Sequence, residues 1–288
     1  MINNISDSFI NKKRLSLIET LCGSEELDDI KNLLNECFEN IISKKNTSTY
    51  KLLTFISKLD NIHDVDDSNK DLYDNFSRKE YIISNDEDLN KIIPLINQAK
   101  ILGFDTEQKP VFKKGVPESK IAIIQLCDEN NSYLIQVQKI KNISSLLLVL
   151  SNKNIIKVGI GLKNDLQVLY KEFNCNMNAC IDFGILFKSK LFSNNELGAK
   201  KACLLFLDLK LQKSKNIARS NWERDVLSEA QIKYANEDAS CVFDSFCMMI
   251  LRYNFLLEIL PLWFQDKFND DEYANILNDF SKKFLLNK

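Results

Sequence analysis

Ile101-Leu102-Gly103-Phe104-Asp105-Thr106-Glu107 decides the reading of this 288-residue chain. β-Favouring residues run into an acidic pair at i, i+2, which predicts a strand. Side chains alternate faces along a strand, so Asp105 and Glu107 point the same way. Two adjacent carboxylates repel each other and resist burial. A divalent cation between them removes both difficulties, and hard oxygen ligands suit magnesium or manganese. The strand therefore asks the rest of the chain for more oxygen ligands.

Composition narrows the field. An apolar fraction of 45% and a charged fraction of 27% fit a soluble globular chain, with one large domain or a medium domain plus an extension. A formal charge of −2 gives no overall nucleic-acid signature, so such a partner needs local basic patches or metals. The eight cysteines are scattered without a CxxC pair, and His63 is the only histidine, which argues against structural zinc. They read as reduced thiols of an intracellular protein, with nucleus and cytoplasm both open. Met1 to Asp7 has no basic cap followed by an apolar run, so it is not a secretory signal. The greasiest stretch, Phe255 to Phe264, is short and carries Glu258 and Pro261, so no membrane span is expected.

Residues 1–60 read as a helical N-terminal extension. Leu15, Leu17, Ile18, Leu21 and Cys22 fall at helical spacing, as do Leu27, Ile30, Leu33, Leu34, Cys37 and Phe38. A third helix is expected over Tyr50 to Leu59. These helices pack on the main domain or offer a surface to a protein partner of unknown identity. Residues 61–79 read as an acidic linker, with Asp64, Asp66, Asp67, Asp71 and Asp74 dominant and His63 a solvated bystander. The stretch lacks the turn glycine and terminal glutamate of a calcium loop.

The main domain is expected over 80–252. Tyr81-Ile82-Ile83 is a short strand, and Ser84 or Asn85 caps a helix to Ala99. The acidic strand, Ile121 to Cys127 and Tyr133 to Val137 form an antiparallel meander. A helix follows over Ile143 to Leu150. Ile155 to Gly161 is a buried strand running into a helix from Leu162 to Phe173. Asn164 and Asp165 then sit in that helix's first turn, where α/β sheets hold ligands. Ile181 to Leu191 and Leu197 to Leu205 are predicted as helices. Ser228-Glu229-Ala230-Gln231 is a capping box with Leu227 and Ile232 as its staple. Its helix carries Tyr234, Asp238 and Phe243 to about Met249, and Tyr234 and Asp238 share a face at i, i+4. Residues 253–288 are a helical tail with an apolar stripe of Tyr273, Ile276, Leu277, Phe280 and Phe284. The expected class is α/β: a mixed sheet, antiparallel strands first and parallel ones after, flanked by helices.

Taken singly, an Asp in a helix's first turn is a capping or dipole effect, and a Tyr–Asp pair at i, i+4 is surface chemistry. The combination is rarer. Gly103 to Glu107, Lys157 to Asp165 and Leu227 to Ala239 together resemble the DEDD superfamily of 3′–5′ exonucleases. Within it the chain is similar to the ribonuclease D and Werner-syndrome exonuclease branch. Ile121 to Cys127 and Lys213-Ser214-Lys215-Asn216 leading to Ser220-Asn221-Trp222 add to the likeness, which covers roughly residues 80 to 250. One subclass carries a histidine before the last aspartate, which His63 cannot supply. Tyr234 makes this the tyrosine subtype. Relatives often have Arg-Pro-Leu where this chain has Asp225-Val226-Leu227.

The resemblance implies a ribonuclease H-like sheet and two divalent cations, Mg²⁺ or Mn²⁺, roughly 3.5–4 Å apart on a phosphodiester. It implies Asp105 bridging both, Glu107 and Asp238 on the one that activates water, and Asp165 on the other. Tyr234 aims the water, because a phenol of pKa near ~10 is a poor base. Nucleoside 5′-monophosphates would leave from the 3′ end of DNA or RNA. Thr106, Asn164, Lys113, Lys114, Lys215 and Trp222 are candidate substrate contacts. Lys109, Lys120, Lys213 and Arg219 are further candidates for holding a strand. The rival reading is a nucleic-acid-binding or scaffold protein that keeps the fold without the chemistry.

Overall fold

The structure, a computed structural model, describes residues 15, 28–44, 48–110, 120–191, 196–268 and 271–286. Two compact units divide between Val65 and Asp66. The first contains α1 (Asp28–Ser43) and α2 (Ser48–Asn61), followed by a 3-10 turn over Ile62–Asp64. Tyr50, Phe55 and Leu59 of α2 are buried. The apolar stripe expected from Leu15 to Cys22 lies, Leu15 excepted, outside the described residues.

The second unit starts inside the stretch whose aspartates suggest a linker. Tyr73, Phe76 and Arg78 there are buried, and Leu72 makes a parallel bridge to Lys210. The Arg78 guanidinium donates to Asp244 at 2.5 and 3.1 Å, and the Tyr73 hydroxyl donates to the same carboxylate at 2.6 Å. The Tyr73, Phe76 and Arg78 side chains anchor residues 66–78 to this unit, while most of the stretch stays exposed as its acids suggest. Two aromatic rings and a paired arginine outweigh the surrounding acids.

A six-stranded sheet forms the centre, in the order β1-β4-β3-β2-β5-β6. The strands are β1 (Lys79–Ile83), β2 (Ile101–Gln108), β3 (Ile121–Cys127), β4 (Asn131–Gln136), β5 (Ile156–Gly159) and β6 (Cys180–Asp182). β2, β3 and β4 are the expected antiparallel meander. β1 joins β4 in parallel, and β5 and β6 extend the β2 side in parallel.

Helices α3 (Asp86–Ile96), α4 (Ser144–Ser151) and α5 (Lys163–Phe173) cover one face. Leu89, Leu146, Leu150 and Leu169 from them join Leu102, Phe104, Ile124 and Ile135 of the sheet in one core. After β6 come α6 (Phe183–Leu191), α7 (Ala199–Ala202) and a π-helical turn over Cys203–Leu207. The short α8 (Lys215–Ala218) precedes α9 (Glu229–Arg252), which lies across β2, β3 and β4 on the opposite face. Ala122, Ile123, Leu134, Trp222, Leu227 and Ala235 make the second core there. The tail forms α10 (Leu262–Phe268) and α11 (Asp271–Leu286). Phe264 and Phe280 pack edge-on against Phe246 and Phe243 of α9.

Two elements differ from the sequence reading. Cys180 to Asp182 is a strand, and the helix begins only at Phe183; three residues are too few to display alternation. The segment expected as one helix over Leu197 to Leu205 is a single α turn running into a π turn.

Candidate active site

The parity of β2 sorts its side chains. Leu102 and Phe104 enter the core under α3, α4 and α5. Gly103 faces α9, and so do Asp105 and Glu107 by alternation. A Cβ on Gly103 would stand 2.4 Å from the Ala239 carbonyl oxygen. That close approach brings the acidic end of β2 to the neighbour of Asp238.

Asp238 and Tyr234 are set by the start of α9. The Ser228 side chain accepts from Gln231 N, and the Gln231 side chain accepts from Ser228 N at 3.1 Å. The expected capping box is present, and it fixes where the helix begins. Asp238 is left with 3% of its side chain exposed.

Asp165 stands in the first turn of α5, after Gly161 at φ +75°. Asp182 of β6 holds that turn, accepting from Gly161 N at 3.1 Å, Leu162 N at 3.0 Å and Gly184 N at 3.0 Å. The Thr106 hydroxyl donates to Asp165, and Thr106 N donates to Asp105 Oδ1 at 2.8 Å. One residue therefore links the carboxylate beside it to one 59 positions further on.

Electrostatics records the convergence. Burial pushes Glu107 up to about 9, helped by the charges of Asp105, Asp238 and Asp165. Burial, then Asp105, lifts Asp165 to about 7. Asp238 also reaches about 7: burial raises it, and Asp105 adds to the rise. Lys213 pulls Asp238 back down. Asp105 is raised by burial against the opposing pull of Lys213. Burial and then Asp238 raise Tyr234 above the ordinary phenol value. Four carboxylates and a phenol thus lie close enough for their charges to act on one another.

Lys213 belongs to the cluster. Its Nζ is 2.9 Å from Asp238 Oδ1 and 5.8 Å from the Tyr234 ring centroid. Burial disfavours its charge, but Asp238 and Asp105 override that and hold its pKa above the usual lysine value. The sequence suggests only a strand-binding lysine here. Gln125 is a second addition. It lies opposite Asp105 in the ladder and is buried, with neither amide atom bonded among the described residues. A buried glutamine registered against the central aspartate is visible only once the pairing is known.

The candidate substrate contacts separate. Thr106 is spent on the carboxylates, as above. Asn164 and Lys215 are exposed near α5 and α8. Lys113 and Lys114 lie outside the described residues. Lys109 pairs with Glu223 at 3.0 Å. Trp222, a candidate for stacking on a base, is instead 1% exposed, with Nε1 donating to Ala218 O at 3.3 Å. Its ring faces Tyr234 at 6.0 Å and the second core, so it packs.

The donor chemistry fits hard divalent cations: four carboxylates, Asp238 buried and Asp105, Glu107 and Asp165 half-buried, raise one another's pKa values. Among the described residues no three acidic, cysteine or histidine side chains stand in a ready ligating arrangement. Asp238 is engaged by Lys213 and Asp165 by Thr106 instead.

Residues 81–249 match the 3'-5' exonuclease family, and the chain belongs to that family. It is 30% identical over 146 residues to the bifunctional 3'-5' exonuclease/ATP-dependent helicase WRN of Mus musculus, covering 50% of this chain and 10% of that protein. A 3'-5' exonuclease of Arabidopsis thaliana is 29% identical over 139 residues, 48% of each. Escherichia coli RNase D, described as an exoribonuclease involved in structured RNA processing, shares the fold. Its TM-score is 0.55 at 20% identity, covering 70% of this chain and 50% of that one. The chain spans about half or less of the length of these relatives.

Proposed function

We propose that this chain is a metal-dependent 3′–5′ exonuclease that hydrolyses phosphodiester bonds of DNA or RNA and releases nucleoside 5′-monophosphates. The observation that carries the reading is the mutual influence of Asp105, Glu107, Asp165 and Asp238 from β2, α5 and α9, half-buried but for the closed-off Asp238, beside Tyr234. Membership of the exonuclease family supports it.

In this reading Asp105, Glu107, Asp165 and Asp238 hold two divalent cations, Mg²⁺ or Mn²⁺. When bound, these supply Lewis-acid stabilisation of the phosphodiester charge and make water nucleophilic near neutral pH. Tyr234 orients the attacking water through its hydroxyl. It does not take the proton as a phenolate, because burial and Asp238 raise its pKa. Thr106 keeps Asp105 and Asp165 aimed at the same point, and Asp182 keeps the turn that presents Asp165. Exposed Lys215 and Arg219 hold the strand's phosphates. Among the described residues no helix is long and apolar enough to cross a membrane, and the cysteines are free thiols. An intracellular nucleic-acid substrate is in keeping with both.

The test digests 5′-labelled single-stranded DNA, single-stranded RNA and recessed duplexes, with magnesium or manganese. Stepwise shortening from the 3′ end that Asp105→Ala abolishes is the expected result. Equal activity in pure Asp105→Ala protein would reject the site.

A further inference from the structure

Resting on the reading that the four carboxylates hold metal, we propose that Lys213 is the resident cation of the metal-free site, and that metal binds by displacing its ammonium from Asp238. Four observations converge. The Lys213 ammonium lies 2.9 Å from Asp238 Oδ1, and that carboxylate is 3% exposed. The same ammonium stands 5.8 Å from the centroid of the Tyr234 ring, so it reaches into the site and not only to its edge. Among the described residues no three acidic, cysteine or histidine side chains are placed to hold an ion as they stand, although the donor types suit one. Finally, Lys213 has a way out: its side chain is 28% exposed while its partner is closed off.

The residue type fits the task. Lysine carries a compact charge on a flexible four-carbon stem, whereas arginine would lock onto a carboxylate through a rigid fork. Leu211 is buried two residues before it, and Ser214 caps α8 immediately after it. The backbone is therefore anchored on both sides while the stem can swing. The ammonium neutralises part of this crowd of carboxylates until metal arrives, and it competes with that metal. A purely structural strut would act in the opposite sense, because its loss would disorder Asp238 and weaken metal binding.

The experiment measures Mn²⁺ binding by calorimetry and by the electron paramagnetic resonance of free Mn²⁺, without substrate. Wild type, Lys213→Met, Lys213→Arg and Asp105→Asn are compared, alongside thermal unfolding in chelator and in Mn²⁺. Lys213→Met should bind Mn²⁺ about tenfold tighter, the worth of one charge-assisted hydrogen bond. Its unfolding midpoint should fall in chelator and rise more than that of wild type on adding Mn²⁺. Lys213→Arg should keep the chelator midpoint and bind Mn²⁺ no more tightly than wild type. Unchanged or weaker Mn²⁺ binding in Lys213→Met would overturn the exchange. Wild-type Mn²⁺ binding that survives Asp105→Asn would instead overturn the metal assignment beneath it.

Discussion

Gly103 and Ala239 meet backbone to backbone: a methyl group on the first would lie 2.4 Å from the carbonyl oxygen of the second. Cys127 Sγ would be 2.7 Å away on another side. Gly103 comes two residues before Asp105, and Ala239 directly follows Asp238. This single contact sets how near β2 and α9 can bring their acids.

Gly103→Ala should therefore act on stability and activity together. The added carbon meets backbone and a buried thiol, so strand and helix must part. Overpacking of this kind costs about 1–3 kcal/mol. Urea unfolding should show the loss, and exonuclease assays should show activity falling further than the unfolded fraction explains. A variant with wild-type turnover would mean that the spacing has slack.

Asp182 touches none of the proposed metal-binding carboxylates by hydrogen bond, yet it holds the turn before Asp165 through two backbone N–H groups, Gly161 and Leu162, and its own following turn through Gly184 N. Asp182→Ala should lower stability by about 0.5–1.5 kcal/mol, as exposed and half-buried donors lose their acceptor. It should also reduce turnover while leaving Tyr234 chemistry intact. Asp182→Asn keeps one acceptor oxygen and should recover part of both. Identical kinetics in the alanine and wild-type proteins would remove Asp182 from any positioning role.

Tyr234→Phe tests orientation against proton transfer. The ring packing beside Trp222 survives the change, so the fold should be unaffected. If the hydroxyl aims water, turnover should drop by about 10²-fold with metal affinity unchanged. The pH–rate profile should keep its shape. Loss of an alkaline limb would mark the phenol as a titrating participant.

The metal-free protein should grow less stable as pH rises. Glu107 titrates at about 9, and Asp165 and Asp238 at about 7, whereas unfolded carboxylates titrate near ~4. Between these limits the folded form binds more protons than the unfolded form, so stability falls with increasing pH. Urea midpoints in chelator should decline from about pH 5 to about pH 9. Glu107→Gln should flatten the upper part of the decline. A profile that rises through this window would contradict the crowding of the acids.

The elements that carry the acids are legible in the sequence because their signals are local. Alternation marks β2, a glycine-bearing βα turn marks Asp165, and a capping box marks the start of α9. The antiparallel meander follows from short loops between strands. What escapes is contact between distant parts. Tyr73 and Arg78 look like members of a linker because Asp244, their common partner, lies 171 and 166 residues further on. Lys213 reads as a surface cation until its approach to Asp238 is known. Trp222 reads as a core residue before a stacking platform, and its surroundings bear that out. β6 is too short to carry a pattern at all.

The burial of Arg78 has a practical consequence. The stretch shared with the family opens at residue 81, three positions after it. A fragment cut to that boundary would strand the Asp244 carboxylate, 0% exposed, in an apolar interior without its counterion. Removing one partner of a buried pair costs about 3–5 kcal/mol, enough to consume much of a small domain's margin against unfolding. The compact unit that holds the site accordingly opens at Asp66, ahead of the homologous block, and a fragment meant to fold should keep Tyr73 and Arg78.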